Sequence, residues 1–183
     1  MGERAGGAVA GRALSPSLPV CAPLQGRLLR RYKRFFADVE TTDGEILTVH
    51  CPNPGSMRGL LVEGAAVRCS SSDNPKRKLR HTLEMIRIRR TWVGLHTGRA
   101  NAVVRTALEA EVMPELSGYR NLRSEVAAGS GSRFDFRLED HAAGAPDAWL
   151  EVKSVTMAEG PRARFPDAVT ERGRRHATHL GER

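Results

Sequence analysis

Two successive modules are predicted: a small β-barrel of the oligonucleotide-binding type over residues 24–99, and an α/β unit over residues 100–183. Three observations predict them. Short runs of strand-forming residues, broken at close intervals by turn residues, fill 24–99, and a helical spacing of apolar residues first appears after Gly98. The charge divides at the same place. Residues 24–99 hold fifteen Lys or Arg against seven Asp or Glu, a net +8, whereas 100–183 hold twelve against thirteen, a net −1. Residues 1–23 are rich in Gly, Ala, Pro and Ser, a composition that predicts a disordered lead-in.

Within the barrel, Leu24–Val39 reads as one long basic strand, followed by Glu45–His50, Ala65–Ser70, Leu83–Ile88 and Trp92–Leu95. Asp43-Gly44, Pro52-Asn53-Pro54-Gly55, Glu63-Gly64 and Asp73-Asn74-Pro75 supply the turns. Phe35 or Phe36 is expected inside, because a small barrel needs large fillers. In the second module Val104, Leu108 and Val112 recur every four residues, Asn101 is an N-cap candidate and Pro114 ends the run. This predicts a helix over 101–113. Strands near 123–128, 132–139 and 149–157 are expected next, then a helix after Pro166, capped by Asp167.

Composition excludes some classes. No apolar stretch approaches the ~20 residues that span a bilayer, so no membrane partner is expected. Cys21, Cys51 and Cys69 are odd in number and widely spaced, which predicts a reducing, cytoplasmic setting rather than a disulfide framework. Around His50-Cys51 no second Cys or His pair stands at zinc-ligand spacing.

Two constellations carry chemistry. Glu151 and Lys153 would share one face of an extended strand flanked by Leu150, Val152 and Val155. The Gly/Pro/Asp-bearing connection 139–148 would bring Asp135 beside them. Two carboxylates and a lysine at the ends of paired strands suit Mg²⁺ and a phosphate, although a charged, exposed strand edge would carry the same residues. In the barrel, Arg30, Arg31, Lys33 and Arg34 surround Tyr32 and precede Phe35 and Phe36, a pattern that suits a strand tracking a phosphate backbone and stacking bases. Lys76, Arg77, Lys78 and Arg80 concentrate charge in a turn that can contact phosphates without reading bases. A solvated loop is the plain alternative for that turn.

The motifs also stand in a telling order. Arg31-Tyr32-Lys33-Arg34-Phe35, His50-Cys51-Pro52-Asn53, Gly55-Ser56-Met57 and Asn74-Pro75-Lys76-Arg77-Lys78 are followed by Ser132-Arg133-Phe134-Asp135-Phe136, Glu151-Val152-Lys153-Ser154-Val155 and Phe165-Pro166-Asp167-Ala168-Val169-Thr170-Glu171-Arg172-Gly173. Over roughly residues 24–180 this series closely resembles the sugar fermentation stimulation protein A family of bacteria and archaea. The resemblance implies an oligonucleotide-binding barrel followed by a nuclease-like α/β core of the PD-(D/E)xK type. It also implies DNA binding linked to regulation of sugar utilisation. It places metal carboxylates on Asp135 and Glu151 and the catalytic lysine on Lys153, with Mg²⁺ as cofactor and Mn²⁺ as a substitute. Two functions follow: a DNA-binding regulator with a nuclease-like site, or an active metal-dependent phosphodiesterase on DNA or RNA. Pro54 stands where the family usually has Thr, and Thr106 stands where its first core helix usually offers a glutamate. Family chains also continue past Gly173 into an apolar strand. The core is therefore expected to lack its last strand and to leave an unpaired sheet edge, the chain being a fragment, a frameshifted product or a protein that covers the edge by association with another copy.

Overall fold

The computed structural model describes residues 16–127 and 133–165. Its first module contains β1 (Leu24–Tyr32), β2 (Phe36–Thr41), β3 (Ile46–His50), β4 (Ala66–Ser71), β5 (His81–Ile88) and β6 (Thr91–Gly94). They lie in the order β3-β2-β1-β4-β5-β6, and a parallel pairing of His50 with Thr82 joins β3 to β5. Five strands thus close the barrel, and β6 forms a hairpin on the outer side of β5.

The predicted barrel is present, but its five strands are divided differently. Leu24–Val39 is a hairpin rather than one strand. The chain reverses at Lys33-Arg34-Phe35, with Tyr32 paired to Phe36 and with Lys33 and Arg34 at φ 47° and 62°. Left-handed backbone is ordinarily marked by Gly or Asn, so a turn built of Lys and Arg leaves no compositional signal. Trp92–Leu95 becomes the appended sixth strand.

Alternation along the strands, with a register shift at Arg68/Cys69 that lets Leu83 and Ile86 share one face, gathers Leu28, Val39, Val49, Val67, Leu83 and Ile86 into a single aliphatic core. Neither Phe35 nor Phe36 belongs to it: Phe35 is 44% exposed and Phe36 half-buried, because the hairpin carries both to the barrel rim. At Gly26 the first two strands approach so closely that a Cβ would lie 2.4 Å from the Glu40 carbonyl oxygen. The three cysteines are free. Burial, helped by the charge of Glu84, pushes the Cys69 thiol up to about 12, which leaves it unreactive.

Two carboxylates are buried in the barrel, and both are satisfied. Asp38 accepts from Arg30 Nε at 2.7 Å, Thr48 Oγ1 at 2.9 Å and Tyr32 Oη at 3.2 Å. Burial pushes its carboxyl up, but these bonds outweigh that and leave it below the usual range. Glu84, on β5, accepts from Arg99 Nε at 2.8 Å, Arg99 Nη2 at 3.1 Å and Ser70 Oγ at 2.7 Å. Arg99 is the N-cap residue of α1 (Ala100–Glu109), so the pair fastens the start of the second module to the barrel. Thr97 Oγ1 adds a bond to the Pro52 carbonyl at 2.8 Å.

In the second module α1 packs on an antiparallel sheet of β7 (Tyr119–Ala127), β8 (Arg133–His141) and β9 (Ala148–Leu150). Leu108, Phe136 and Leu138 form its core. A hairpin of β10 (Met157–Glu159) and β11 (Arg162–Arg164) follows. The helix is shorter than its spacing predicts. It ends at Glu109, Glu111 takes φ 51°, and Val112 is exposed. Asn101 is not its cap, since Arg99 holds that position without a side-chain cap bond. Of the expected strand 149–157, only Trp149 and Leu150 remain in the β9 ladder. Of the expected lead-in, residues 16–23 are described, and Leu18 and Val20 line a cleft with Val104 and Val152. The helix expected after Pro166 lies outside the described residues.

Removing Arg99 leaves Glu84 buried and unpaired, so Arg99→Ala is expected to lose about 3 kcal/mol in urea unfolding at neutral pH, the low end for a broken buried pair because Arg99 is partly exposed. Burial pushes the Glu84 carboxyl up, yet the bonds from Arg99 and Ser70 hold it below its ordinary 4.5. That stabilisation is complete above the unfolded value and is lost as pH falls through the lower folded value. Glu84→Gln should therefore show a shallower fall in stability between neutral and acid pH than the native chain.

Candidate nucleic-acid interface and carboxylate site

At the barrel rim the β1–β2 hairpin, the end of β3 and the β4–β5 loop enclose a cleft of about 300 Å³ lined by Phe35, Phe36, His50, Arg77, Lys78 and Leu79. These are the loops on which oligonucleotide-binding barrels hold their ligands. Phe35 stacks on His50 with ring centroids 6.5 Å apart, and Tyr32 stacks on Phe36 at 5.6 Å. Burial first, then the positive charge of Arg77, lowers the His50 pKa from 6.5, so at neutral pH it offers an uncharged aromatic face.

The seven basic residues expected to bind nucleic acid divide into two groups. Arg30 is tied to Asp38 and lies over the Tyr32 ring at 5.0 Å. Arg31 donates to the carbonyls of Arg34, Asn53 and Gly55 at 2.9, 2.7 and 3.0 Å. It therefore holds the hairpin against the Asn53-Pro54-Gly55 turn. Lys33, Arg34, Lys76 and Lys78 are exposed, and Arg77 donates to Thr82 Oγ1 at 2.7 Å. The consecutive left-handed residues Lys33 and Arg34 hold their charges at the hairpin tip at a cost in backbone strain.

The second site lies at the end of β8. Register pairs Phe136 with Leu150, so Asp135 faces Glu151 at the next step, where the ladder has stopped. The reason it stops is local: Asp135 Oδ2 takes the Val152 N–H at 2.6 Å, the donor a neighbouring strand would otherwise engage. Asp135 Oδ1 accepts from Asn101 Nδ2 at 2.7 Å. The Glu151 side chain is 8% exposed and pairs with Lys153, which is 34% exposed. Asp135, Glu151 and Lys153 thus share one loop junction, though not one strand. Thr106 spends its hydroxyl on the Ala102 carbonyl at 2.9 Å. Among the described residues no group of three His, Cys, Asp or Glu could hold a metal. Asp135 and Glu151 are the two carboxylates at this junction; Mg²⁺ commonly takes one or two protein carboxylates and keeps several waters.

Sequence reasoning missed two parts of this arrangement. Asn101 carries an N-cap signature but serves as the donor that orients Asp135. His50 reads as part of a tight turn, and it is the β2–β3 register, which pairs it with Phe36, that sets it against Phe35.

The fold and these sites define a class: an oligonucleotide-binding-type barrel joined to an α/β module with a carboxylate–lysine loop. The chain belongs to the sugar fermentation stimulation protein family. Residues 29–95 match the SfsA N-terminal OB domain and residues 98–183 the sugar fermentation stimulation protein RE domain. The sugar fermentation stimulation protein homolog of Geobacter sulfurreducens is 49% identical over 86% of this chain and 66% of its own length. That of Halorhodospira halophila is 52% identical over 86% of this chain and 67% of its own. The chain spans about two thirds of the length of these relatives. The structure of Pyrococcus furiosus SfsA in complex with Ca²⁺ superposes with a TM-score of 0.73 at 26% identity, covering 91% of this chain and 70% of that one.

Asn101→Ala leaves Asp135 with one donor fewer in a half-buried setting, and is expected to cost about 1 kcal/mol, read by urea unfolding beside the native chain.

Proposed function

We propose that this protein binds single-stranded nucleic acid, DNA in the first instance, across the barrel rim, and that Asp135 and Glu151 hold a divalent cation nearby. One observation carries the binding reading: the rim cleft joins an exposed Phe35, stacked on a half-buried His50, to Arg77 and Lys78. Base faces stack on aromatic rings whatever their sequence, and unpaired cations follow the backbone. Arg31 acts by holding the hairpin, while Lys33, Arg34, Lys76 and Lys78 supply phosphate contacts.

A second reading, metal-dependent phosphodiester hydrolysis, is favoured by the junction of Asp135, Glu151 and Lys153. Mg²⁺, when bound, supplies a Lewis-acid charge at a phosphodiester oxygen. Lys153 adds a neighbouring positive charge, and Asn101 and the Val152 N–H hold the Asp135 carboxylate in place. The Pyrococcus furiosus relative is described in complex with Ca²⁺, which supports a divalent ion.

Fluorescence anisotropy with labelled oligonucleotides tests the binding reading. Phe35→Ala should weaken binding roughly thirtyfold, the middle of the ~1–3 kcal/mol range for losing one base stack. Lys33, Arg34, Lys76 and Lys78 changed together to Gln should flatten the salt dependence by about 0.7 for each phosphate no longer neutralised. Unchanged affinity in both would place binding elsewhere. For the ion, calorimetric titration with Mg²⁺ or Ca²⁺ should give heat that Asp135→Asn with Glu151→Gln abolishes. Hydrolysis requires oligonucleotide cleavage in Mg²⁺ or Mn²⁺ that Lys153→Ala removes without loss of binding; cleavage surviving Lys153→Ala would discard that role.

A further inference from the structure

A second groove, of about 670 Å³, crosses the barrel away from the rim cleft. Arg27 on β1, Arg68 on β4, Arg87 on β5 and Trp92 on β6 line it, with Glu40 as its one carboxylate among the described residues. The ladders explain the grouping. Gln25 pairs with Arg68, Arg68 with Met85, and Arg87 with Trp92. With strands ~4.8 Å apart, these side chains form a band across four neighbouring strands. Arg27 lies five positions before Tyr32, about 16 Å along β1 from the rim aromatics at a rise of ~3.3 Å per residue.

The cations of this band are largely uncommitted. Arg27 gives one bond, to the Gly64 carbonyl at 3.2 Å. Among the described residues Arg68 and Arg87 have no ion pair, and Arg68 lies 5.8 Å over the Trp92 ring. Trp92 is 36% exposed. The turn joining β5 to β6 adds Arg89 and Arg90, both exposed. Elsewhere on the molecule arginines at strand surfaces meet carboxylates, as Arg120 meets Asp140 and Arg137 meets Asp147. A groove with three arginines to one carboxylate, and a large exposed aromatic among them, is complementary to a polyanion with flat rings.

We propose that this groove is a second single-stranded nucleic-acid site, in which Arg27, Arg68 and Arg87 grip the phosphodiester backbone and Trp92 stacks a base. It rests on the nucleic-acid reading of the rim and extends it: a strand seated at Phe35 continues round the barrel into the groove. Oligonucleotide-binding barrels occupy ~4–16 nucleotides, so short strands fill the rim alone and long ones reach both sites.

The test uses the full chain with oligothymidylates of about 6 and about 24 nucleotides, one near the short end of this range and one beyond its long end. Arg68→Gln with Arg87→Gln should weaken the long strand about tenfold, lower its salt slope by about 1.4 for two phosphates no longer neutralised, and leave the short strand within about twofold. Arg120→Gln with Arg123→Gln removes the same charge from β7 and should change neither. In a Trp149→Phe background, Trp92 fluorescence should be quenched by the long strand and unaffected by the short one. Unaltered long-strand affinity in the Arg68/Arg87 variant, or unquenched Trp92, overturns the groove while leaving the rim site intact. If only the long strand binds, and that variant abolishes it, the groove stands and the rim reading fails. If neither strand binds, both fail. Polyglutamate displacing the long strand from Trp92 as well as unlabelled oligothymidylate does would also overturn the proposal, since such a site makes no use of bases.

Discussion

The buried ion pair between Glu84 and Arg99 is the constraint on which the rest of this structure depends. A carboxylate in the middle of a barrel strand is costly to desolvate, and it is tolerated because Arg99 meets it with two N–H groups and Ser70 with a hydroxyl. Arg99 is also the residue from which α1 departs. Two residues on, Asn101 reaches Asp135, and Asp135 reaches the Val152 N–H. Two sets of polar contacts, joined through the backbone of residues 99–101, therefore run from inside the barrel to the carboxylate loop. The carboxylate site is positioned by the barrel as much as by its own sheet.

The barrel makes its two candidate surfaces by different means. At the rim, a hairpin of Lys and Arg in left-handed conformation carries Phe35 outward against His50, while Arg31 secures the hairpin to a neighbouring turn. In the groove, strand register makes the surface, with a register shift beside Arg68. Arg27, Arg68, Arg87 and Trp92 are outward-facing strand residues brought side by side by register. Both surfaces draw on the same excess of Arg over carboxylate in residues 24–99, and both leave the aliphatic core undisturbed.

Much of the fold was legible from pattern. Turn residues such as Asp43-Gly44 and the alternation through Leu47 and Val49 report directly on local backbone preference. Pattern and structure part where a side chain serves a distant partner or where the backbone turns without a marking residue. Lys33-Arg34 looked like strand because basic residues are neutral toward turns. Asn101 looked like a cap because the same amide that suits an N-cap also suits a carboxylate across the module. Glu151 and Lys153 looked like strand interior, but Asp135 takes the Val152 N–H and the ladder ends one step earlier.

By itself, then, the sequence determined the closed barrel, the helix and sheet after it, the split of charge between modules and the neighbourhood of Asp135, Glu151 and Lys153. These follow from periodicity, turn chemistry and composition, which act over a few residues. Only the tertiary structure decided which cations are free. Arg30 and Arg31 are committed to Asp38 and to backbone carbonyls, while Arg68 and Arg87 are left facing a groove that also holds Trp92. The physical reason is that a charge is neutralised by whatever lies within a few ångströms of it. In a closed barrel those neighbours come from strands far apart in the chain.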